Sequence, residues 1–137
     1  MTIRWYSLDT DLRTVERGPV DLEGAYKIID GYFARLRPQY QTGEEALAAT
    51  MFGFTRLDGS YMQICLHTPD TIDVEYEFSL VKNALLRLVA GRRQRDERLR
   101  SRDQLRRRTR LFFTHSREAF QDLLRSKHAD GLSESGT

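Results

Sequence analysis

The spacing of apolar residues in the first forty positions predicts one strand and then one helix. Residues 2–8 (TIRWYSL) alternate between apolar and polar side chains, as in a strand with one buried face. From residue 20 to residue 37 apolar residues recur at steps of three and four, which is typical of an amphipathic helix. Asp21 is placed to cap its start and Pro38 to end it. The intervening DTDLRTVERG is polar, and GPVD marks a boundary.

Residues 49–78 predict a three-stranded antiparallel meander. Asp58-Gly59 lies between two alternating runs, and both residues tolerate the positive φ of a two-residue hairpin turn, which would pair Thr55 with Met62. A three-residue loop at 68–70 sets Ile64 against Val74, whereas a loop one residue different would spoil the apolar face. The helix at 20–37 is the expected cover for that face. Its inward residues would be Met62, Ile64, Leu66, Ile72, Val74, Tyr76 and Phe78.

In this register the other face of the meander combines acids with aromatic side chains. Protein interfaces favour aromatic anchors, and an acidic patch steers basic partners, so the face is a candidate binding surface for a basic protein. Antiparallel sheets also commonly leave one face in water, and Arg56 could simply pair across to Glu77. The candidate partner-binding residues are Phe52, Phe54, Tyr61, Asp73, Glu75 and Glu77.

The residues after position 79 predict helical structure. SLVKNALLRLVAG has helical spacing with Ser79 as its cap, and whether this helix continues through Gly91 is left open. RLFFTHSREAFQDLLRSK contains apolar side chains that we expect to pack on the rest of the domain. Residues 129–137 have the composition of a frayed tail. We therefore expect one α+β domain over residues 1–128: an antiparallel meander of three or more strands, covered by an amphipathic helix, with a basic helical C-terminal region.

Charge is divided unequally along the chain. Residues 1–80 hold seven Lys/Arg and thirteen Asp/Glu, whereas residues 81–137 hold fifteen and seven. Residues 91–110 alone hold ten arginines against three acids. This segment could dock on the acids of the sheet, stand as a solvated helix, or bind RNA or DNA by neutralising phosphates, although no base-reading motif accompanies it. The candidate nucleic-acid-binding residues are Arg92, Arg93, Arg95, Arg106, Arg107, Arg108 and Arg110.

Motifs for catalysis or for metal binding are weak. Cys65 and His67 are two apart on one predicted strand and could meet as nucleophile and base, although such a pair is more often incidental. Asp9 and Asp11 could bind a cation, but two acids in a loop are common. Phosphate loops, dinucleotide loops and metalloprotease helices are absent, so we predict no catalytic residue, no metal ligand and no cofactor.

The location expected from the sequence is the cytoplasm. One cysteine excludes an internal disulfide, which fits a reducing compartment. No apolar run approaches the ~20 residues that cross a bilayer, and residues 1–9 lack a signal-peptide core.

The helix and hairpin of residues 20–80 resemble small bacterial immunity proteins of polymorphic-toxin systems. The likeness is one of layout, in which GYFARLRPQYQTGEEALAATM precedes MFGFTRLDGSYMQICLHTPDTIDVEYEF, an acid-bearing hairpin. The resemblance implies a cytoplasmic α+β protein that neutralises a cognate toxin by binding it, and no functional residue is carried over. The sequence therefore predicts a non-enzymatic protein-binding module for a basic partner, with nucleic-acid binding as the alternative.

Overall fold

A six-stranded antiparallel sheet organises residues 2–9, 11, 13–36, 50–78 and 94–126, which are the residues that the computed structural model describes. Its strand order is β2-β1-β3-β4-β5-β6, so the expected α+β class with an antiparallel meander is confirmed. The strands are β1 (Ile3–Leu8), β2 (Thr14–Pro19), β3 (Met51–Arg56), β4 (Tyr61–Thr68), β5 (Thr71–Glu77) and β6 (Gln94–Leu99), and the helices are α1 (Leu22–Arg35), α2 (Arg102–Thr114) and α3 (Arg117–Arg125).

Each described helix begins at a side-chain cap. The Asp21 carboxylate accepts from the Gly24 backbone N–H at 2.7 Å, as the sequence predicts, and Ser101 and Ser116 cap α2 and α3 in the same way. These oxygens satisfy N–H groups that have no partner inside the helix. The predicted helix that starts at Ser79 and the tail at 129–137 lie outside the described residues.

The hydrophobic core lies between one face of the sheet, called the inner face, and the three described helices. The ring of Tyr32 on α1 stacks on Phe52 with centroids 4.2 Å apart, and Phe120 on α3 meets Tyr76 edge-on at 5.3 Å. Burial of this apolar surface is the main force holding the helices to the sheet. The sheet contributes the fully covered side chains Phe52, Phe54, Met62, Ile64, Leu66, Ile72, Val74 and Tyr76.

The pairing of β4 with β5 follows the predicted register. Ile64 lies opposite Val74, and Leu66 lies opposite Ile72, so the inward residues of these two strands are those expected from the sequence. Apolar side chains on both strands would be exposed by a shift of one residue, and their burial therefore fixes the register.

The predicted pairing of β3 with β4 is wrong by one residue. Thr55 pairs with Tyr61 rather than with Met62, because the hairpin has a three-residue loop instead of a two-residue turn. Asp58 accepts from the Ser60 backbone N–H at 2.8 Å, and Gly59 takes a φ of +92° that favours glycine. The shift turns alternate β3 side chains over. Phe52 and Phe54 therefore lie in the core and not on the outer face.

The same shift brings Arg56 to the inner face. Its guanidinium donates to the backbone carbonyls of Phe112 and His115, the latter at 2.8 Å, and lies 4.3 Å from the centre of the Phe112 ring. A cation at this position satisfies carbonyls that the end of a helix leaves open. Arg56 therefore does not pair with Glu77 as expected. It caps the C-terminal end of α2 instead.

Two strands have no clear signal in the sequence. β2 occupies part of the predicted polar loop, and β6 lies within the arginine-rich segment, so the prediction of helix over residues 94–99 is wrong. Both are edge strands with several charged side chains, which protect a sheet from pairing with other chains. The arginine-rich segment was expected to fold over the acids of the sheet, to stand as a solvated helix or to bind nucleic acid. Residues 94–99 instead extend the sheet at its edge, and of the acids on β5 it is Asp73 that Arg98 contacts.

We expect Gly53→Ala to destabilise the protein by about 1–3 kcal/mol, since overpacking costs energy in a well-filled site. An added Cβ would lie 2.3 Å from the Tyr6 hydroxyl and 2.7 Å from the Met62 carbonyl oxygen. Urea unfolding measures the effect. Gly31→Ala is the matched control, because an added Cβ there meets nothing within 4 Å and helix propensity favours alanine. Equal stability of the Gly53 variant and the wild type would contradict this packing.

Candidate functional site

The face of the sheet opposite the core, called the outer face, has none of the three described helices packed on it. Cross-strand partners form continuous rows across it. The Asp73 row consists of Met51, Cys65, Asp73 and Arg98, and the Glu75 row consists of Gly53, Gln63, Glu75 and Asp96. Side chains within one row are near neighbours and can interact directly, so each row is described as one group.

A groove of about 620 Å³ lies over these two rows. Its walls carry titratable groups from three strands, and Met51 contributes an apolar side chain. A cavity of about 680 Å³ where α1 begins and α2 ends is slightly larger. The acid of that larger cavity, Asp21, is already engaged as a helix cap, whereas the groove on the outer face gathers charged side chains. The groove is therefore the better candidate site. Its lining is Met51, Gln63, Cys65, His67, Asp73, Val74, Glu75, Asp96, Glu97 and Arg98.

Asp73 is held by two neighbours on the outer face. Arg98 donates to its carboxylate through Nε at 2.8 Å and through Nη2 at 3.2 Å, and His67 Nε2 lies 2.7 Å from Oδ2. These hydrogen bonds, that of Arg98 first, hold the pKa of Asp73 below its ordinary value. Asp73 therefore stays ionised, and its negative charge is balanced by Arg98 of the same chain.

The Glu75 row places two acids side by side. Glu75 accepts a hydrogen bond from the Tyr61 hydroxyl at 2.8 Å, and Asp96 lies directly opposite on β6. Among the described residues no cation lies within 4.0 Å of Asp96, whose side chain is exposed. Two acids on neighbouring strands therefore make this end of the groove acidic.

Tyr6 on β1 continues the Glu75 row beyond Gly53. Tyr6 pairs with Gly53, and its hydroxyl donates to Gln63 Oε1 at 3.1 Å, across the space that a glycine leaves open. Burial is the largest cause of a Tyr6 pKa well above the ordinary value, so the phenol stays protonated. The row thus runs from a neutral hydrogen-bonded end to an acidic end.

The predicted partner-binding residues are only partly brought together. Tyr61, Asp73 and Glu75 lie on the outer face, while Glu77 lies there with an exposure of 6%. Phe52 and Phe54 belong to the core, as the β3–β4 register requires. Met51, Asp96 and Arg98 are not predicted by the sequence pattern, because their positions depend on the register of β3 and on the pairing of β6 as a strand.

Cys65 and His67 do not form an activated pair. Burial raises the pKa of the Cys65 thiol, partly offset by a hydrogen bond with Thr50, so the thiol stays protonated at neutral pH. His67 is directed to Asp73 instead. A nucleophilic cysteine needs a lowered pKa, which is the opposite of the arrangement at this position.

No metal site is evident in the described ranges, where no three His, Cys, Asp or Glu side chains are grouped to hold an ion. Asp9, the candidate cation ligand, accepts from the backbone N–H groups of Asp11 and Arg13, each at 2.9 Å. Its carboxylate closes the turn between β1 and β2. The Asp9–Asp11 pattern is therefore explained by local turn geometry.

The arginine-rich segment does not place its side chains on one surface. Arg108 is buried against Glu97, Arg106 lies 4.4 Å over the ring of Tyr26 on α1, and Arg110 is exposed. Arg92 and Arg93 lie outside the described residues. Several arginines thus hold the protein together, through an ion pair or through contact with an aromatic ring. Nucleic-acid binding stays a prediction for those that remain exposed.

Comparison with known proteins adds no assignment. No family model, no curated protein and no solved structure matches this chain. Within the described ranges no helix combines the length and the apolar character that crossing a membrane requires.

Proposed function

We propose that this chain is a non-catalytic protein-binding module that binds a basic protein partner through the outer face. The observation that carries the proposal is the position of the groove. The three described helices pack on the inner face, while the groove on the other side gathers carboxylates from β5 and β6. An exposed, shaped and acidic surface speeds the encounter with a basic partner and fixes the orientation of the complex.

The charge balance of the outer face supports a basic partner. Among the described residues of β3 to β6, the outer face holds three carboxylates that are not buried and one arginine, Arg98. Met51 and Tyr61 add apolar surface to the same region, which gives the mixed composition of a protein interface. These carboxylates are Asp73, Glu75 and Asp96, whereas Glu77 on the same face is buried.

An immunity-type inhibitor that neutralises a toxin is the specific form of this proposal. Its support is the layout of residues 20–80, with an amphipathic helix before an acid-bearing meander, and the structure has both elements. A toxin that acts on a polyanion would present a basic surface to the outer face.

Reversing Glu75→Lys and Asp96→Lys together should abolish partner capture, because the center of the acidic surface would then repel a basic partner. The purified chain is used to capture proteins from an extract of the cells that make it. The partner is identified, and its affinity is measured by calorimetry. We expect a loss of at least about 100-fold in affinity, the size typical of changed charges in an interface.

The matched control is Asp11→Lys with Asp122→Lys, which changes the net charge equally at exposed positions away from the groove. This control should bind like the wild type. Equal capture by the wild type and by the Glu75/Asp96 variant would overturn the proposed function. Loss of capture in both variants would also count against it, since it would show that overall charge alone governs binding.

A further inference from the structure

The surface where α1 and α2 lie side by side, called the α1–α2 surface, combines arginines with aromatic rings. The guanidinium carbon of Arg106 lies 4.4 Å from the centre of the Tyr26 ring. That of Arg102 lies 5.7 Å from the centre of the Phe33 ring. The rings and the arginines come from distant parts of the chain, so only the fold brings them together. The surface consists of Tyr26 and Phe33 on α1 and of Arg102, Arg106 and Arg110 on α2, all of them half-buried or exposed.

The three arginines of this surface recur every fourth residue along α2. Four residues rise about 6 Å along a helix, so the arginines form a row on one side of α2. Among the described residues, Asp30 is the only acid whose carboxylate comes within 4.0 Å of a guanidinium in this row, at 3.6 Å from Arg102. The side chain of Arg102 is still 52% exposed, and Arg110 is exposed as well. The row therefore presents positive charge to solvent at regular intervals.

We infer that the α1–α2 surface binds a single-stranded nucleic acid without reading its sequence. The row of arginines contacts phosphates along the strand, and bases stack on the rings of Tyr26 and Phe33 and on the guanidinium beside each ring. Proteins that hold single strands combine these two features, a positively charged track and flat π surfaces on which bases stack. This surface belongs to the helices that cover the inner face, so the inference is independent of the function proposed for the outer face.

The pairing of arginines with rings favours a single strand over other polyanions. A duplex offers the same phosphates, but its bases stack on one another and leave no free faces for the rings. An acidic peptide neutralises the arginines and has no bases to stack. The arginine-rich segment has no aromatic residue between Arg92 and Arg110, so its own sequence lacks the stacking element. The fold supplies that element from α1.

Fluorescence anisotropy with a labelled oligouridine RNA of about 12 nucleotides, titrated with the full chain, tests the inference. Each phosphate contact with a single strand contributes about 0.7 to the slope of log affinity against log salt. Three contacts therefore predict a fall of about 20-fold in affinity between about 50 and about 200 mM KCl. Arg106→Ala with Arg110→Ala should weaken binding at the lower salt at least about 10-fold and reduce that fall to about 3-fold. Arg13→Ala with Arg125→Ala removes equal charge at exposed positions outside both helices and should bind like the wild type.

Arg106→Lys separates stacking from charge. It keeps the positive charge and removes the planar guanidinium, so we expect at least about 5-fold weaker binding with an unchanged salt dependence. Wild-type affinity in Arg106→Lys, or in the double variant of Arg106 and Arg110, would overturn the inference, as would equal losses in the control variant. An oligoglutamate peptide that binds as tightly as the RNA would also overturn it and would indicate an acidic protein, and equally tight binding of a duplex would exclude base stacking. Melting temperatures show that each variant is folded, and the charge-reversal capture experiment judges the outer face separately.

Discussion

Replacing Arg108 with alanine should lower the free energy of unfolding by about 3–5 kcal/mol, since it leaves a buried charge without its partner. Arg108 is 1% exposed, and its Nε lies 2.6 Å from Glu97 Oε1. Tyr76 donates to the same oxygen at 2.5 Å. Burial, and then the charge of Glu97, raises the pKa of Tyr76 well above its ordinary value, so the phenol remains a donor. The network joins α2 to β5 and β6.

Chemical denaturation of Arg108→Ala measures this loss. Arg110→Ala, at an exposed position of the same helix, is the matched control and should change stability by no more than about 0.5 kcal/mol. The double variant Glu97→Gln with Arg108→Met should be more stable than Arg108→Ala, since it removes both buried charges. Equal effects at Arg108 and Arg110 would contradict the burial of this ion pair.

Phe52→Ala should lower the free energy of unfolding by about 3–5 kcal/mol, the usual cost of a large cavity in a core. Phe52 is fully buried, stacks on Tyr32 and meets the ring of Phe54 edge-on at 6.1 Å. Were the hairpin a two-residue turn, Phe52 would lie on the outer face, and its truncation would affect partner binding more than stability.

Leu57→Ala provides the comparison for Phe52. Leu57 is 72% exposed at the tip of the hairpin, although a two-residue turn would have directed it toward the core. Its truncation should change stability by no more than about 0.5 kcal/mol. A larger loss at Leu57 than at Phe52, measured by urea unfolding, would favour the two-residue turn and contradict the observed register.

Local signals in the sequence account for much of the fold. Helix α1 and its Asp21 cap follow from apolar spacing and a capping residue, both of which act within a few positions of the chain. The pairing of β4 with β5 follows from two apolar runs joined by a short turn. In each case the physical cause lies between residues that are near one another in sequence.

At the Asp58-Gly59 hairpin, the loop length predicted from the local sequence was wrong. The dipeptide correctly indicated a turn, but whether the loop has two residues or three depends on which β3 side chains the helices can cover. Phe52 and Phe54 have Tyr32 and Phe113 as partners across the core, and these contacts come from distant parts of the chain. Burying two phenylalanines outweighs the preference for the shorter turn.

The candidate site was predictable only in part for the same reason. The alternation of Asp73 and Glu75 on a strand could be read directly from the sequence, as could their position opposite the apolar core. Their partners could not, because Gln94–Leu99 has charged residues at most positions and little β propensity. Only the pairing with β5 makes it a strand and sets Arg98 against Asp73.

The sequence by itself determined the α+β class, helix α1, the β4–β5 register and an acidic strand facing away from the core. The tertiary structure decided which aromatic residues are buried, and it placed Arg108 inside the protein and Asp96 beside Glu75. The division follows the range of the forces involved. Spacing and capping act over a few residues, whereas the burial of apolar and charged groups depends on surfaces that only the folded chain brings together.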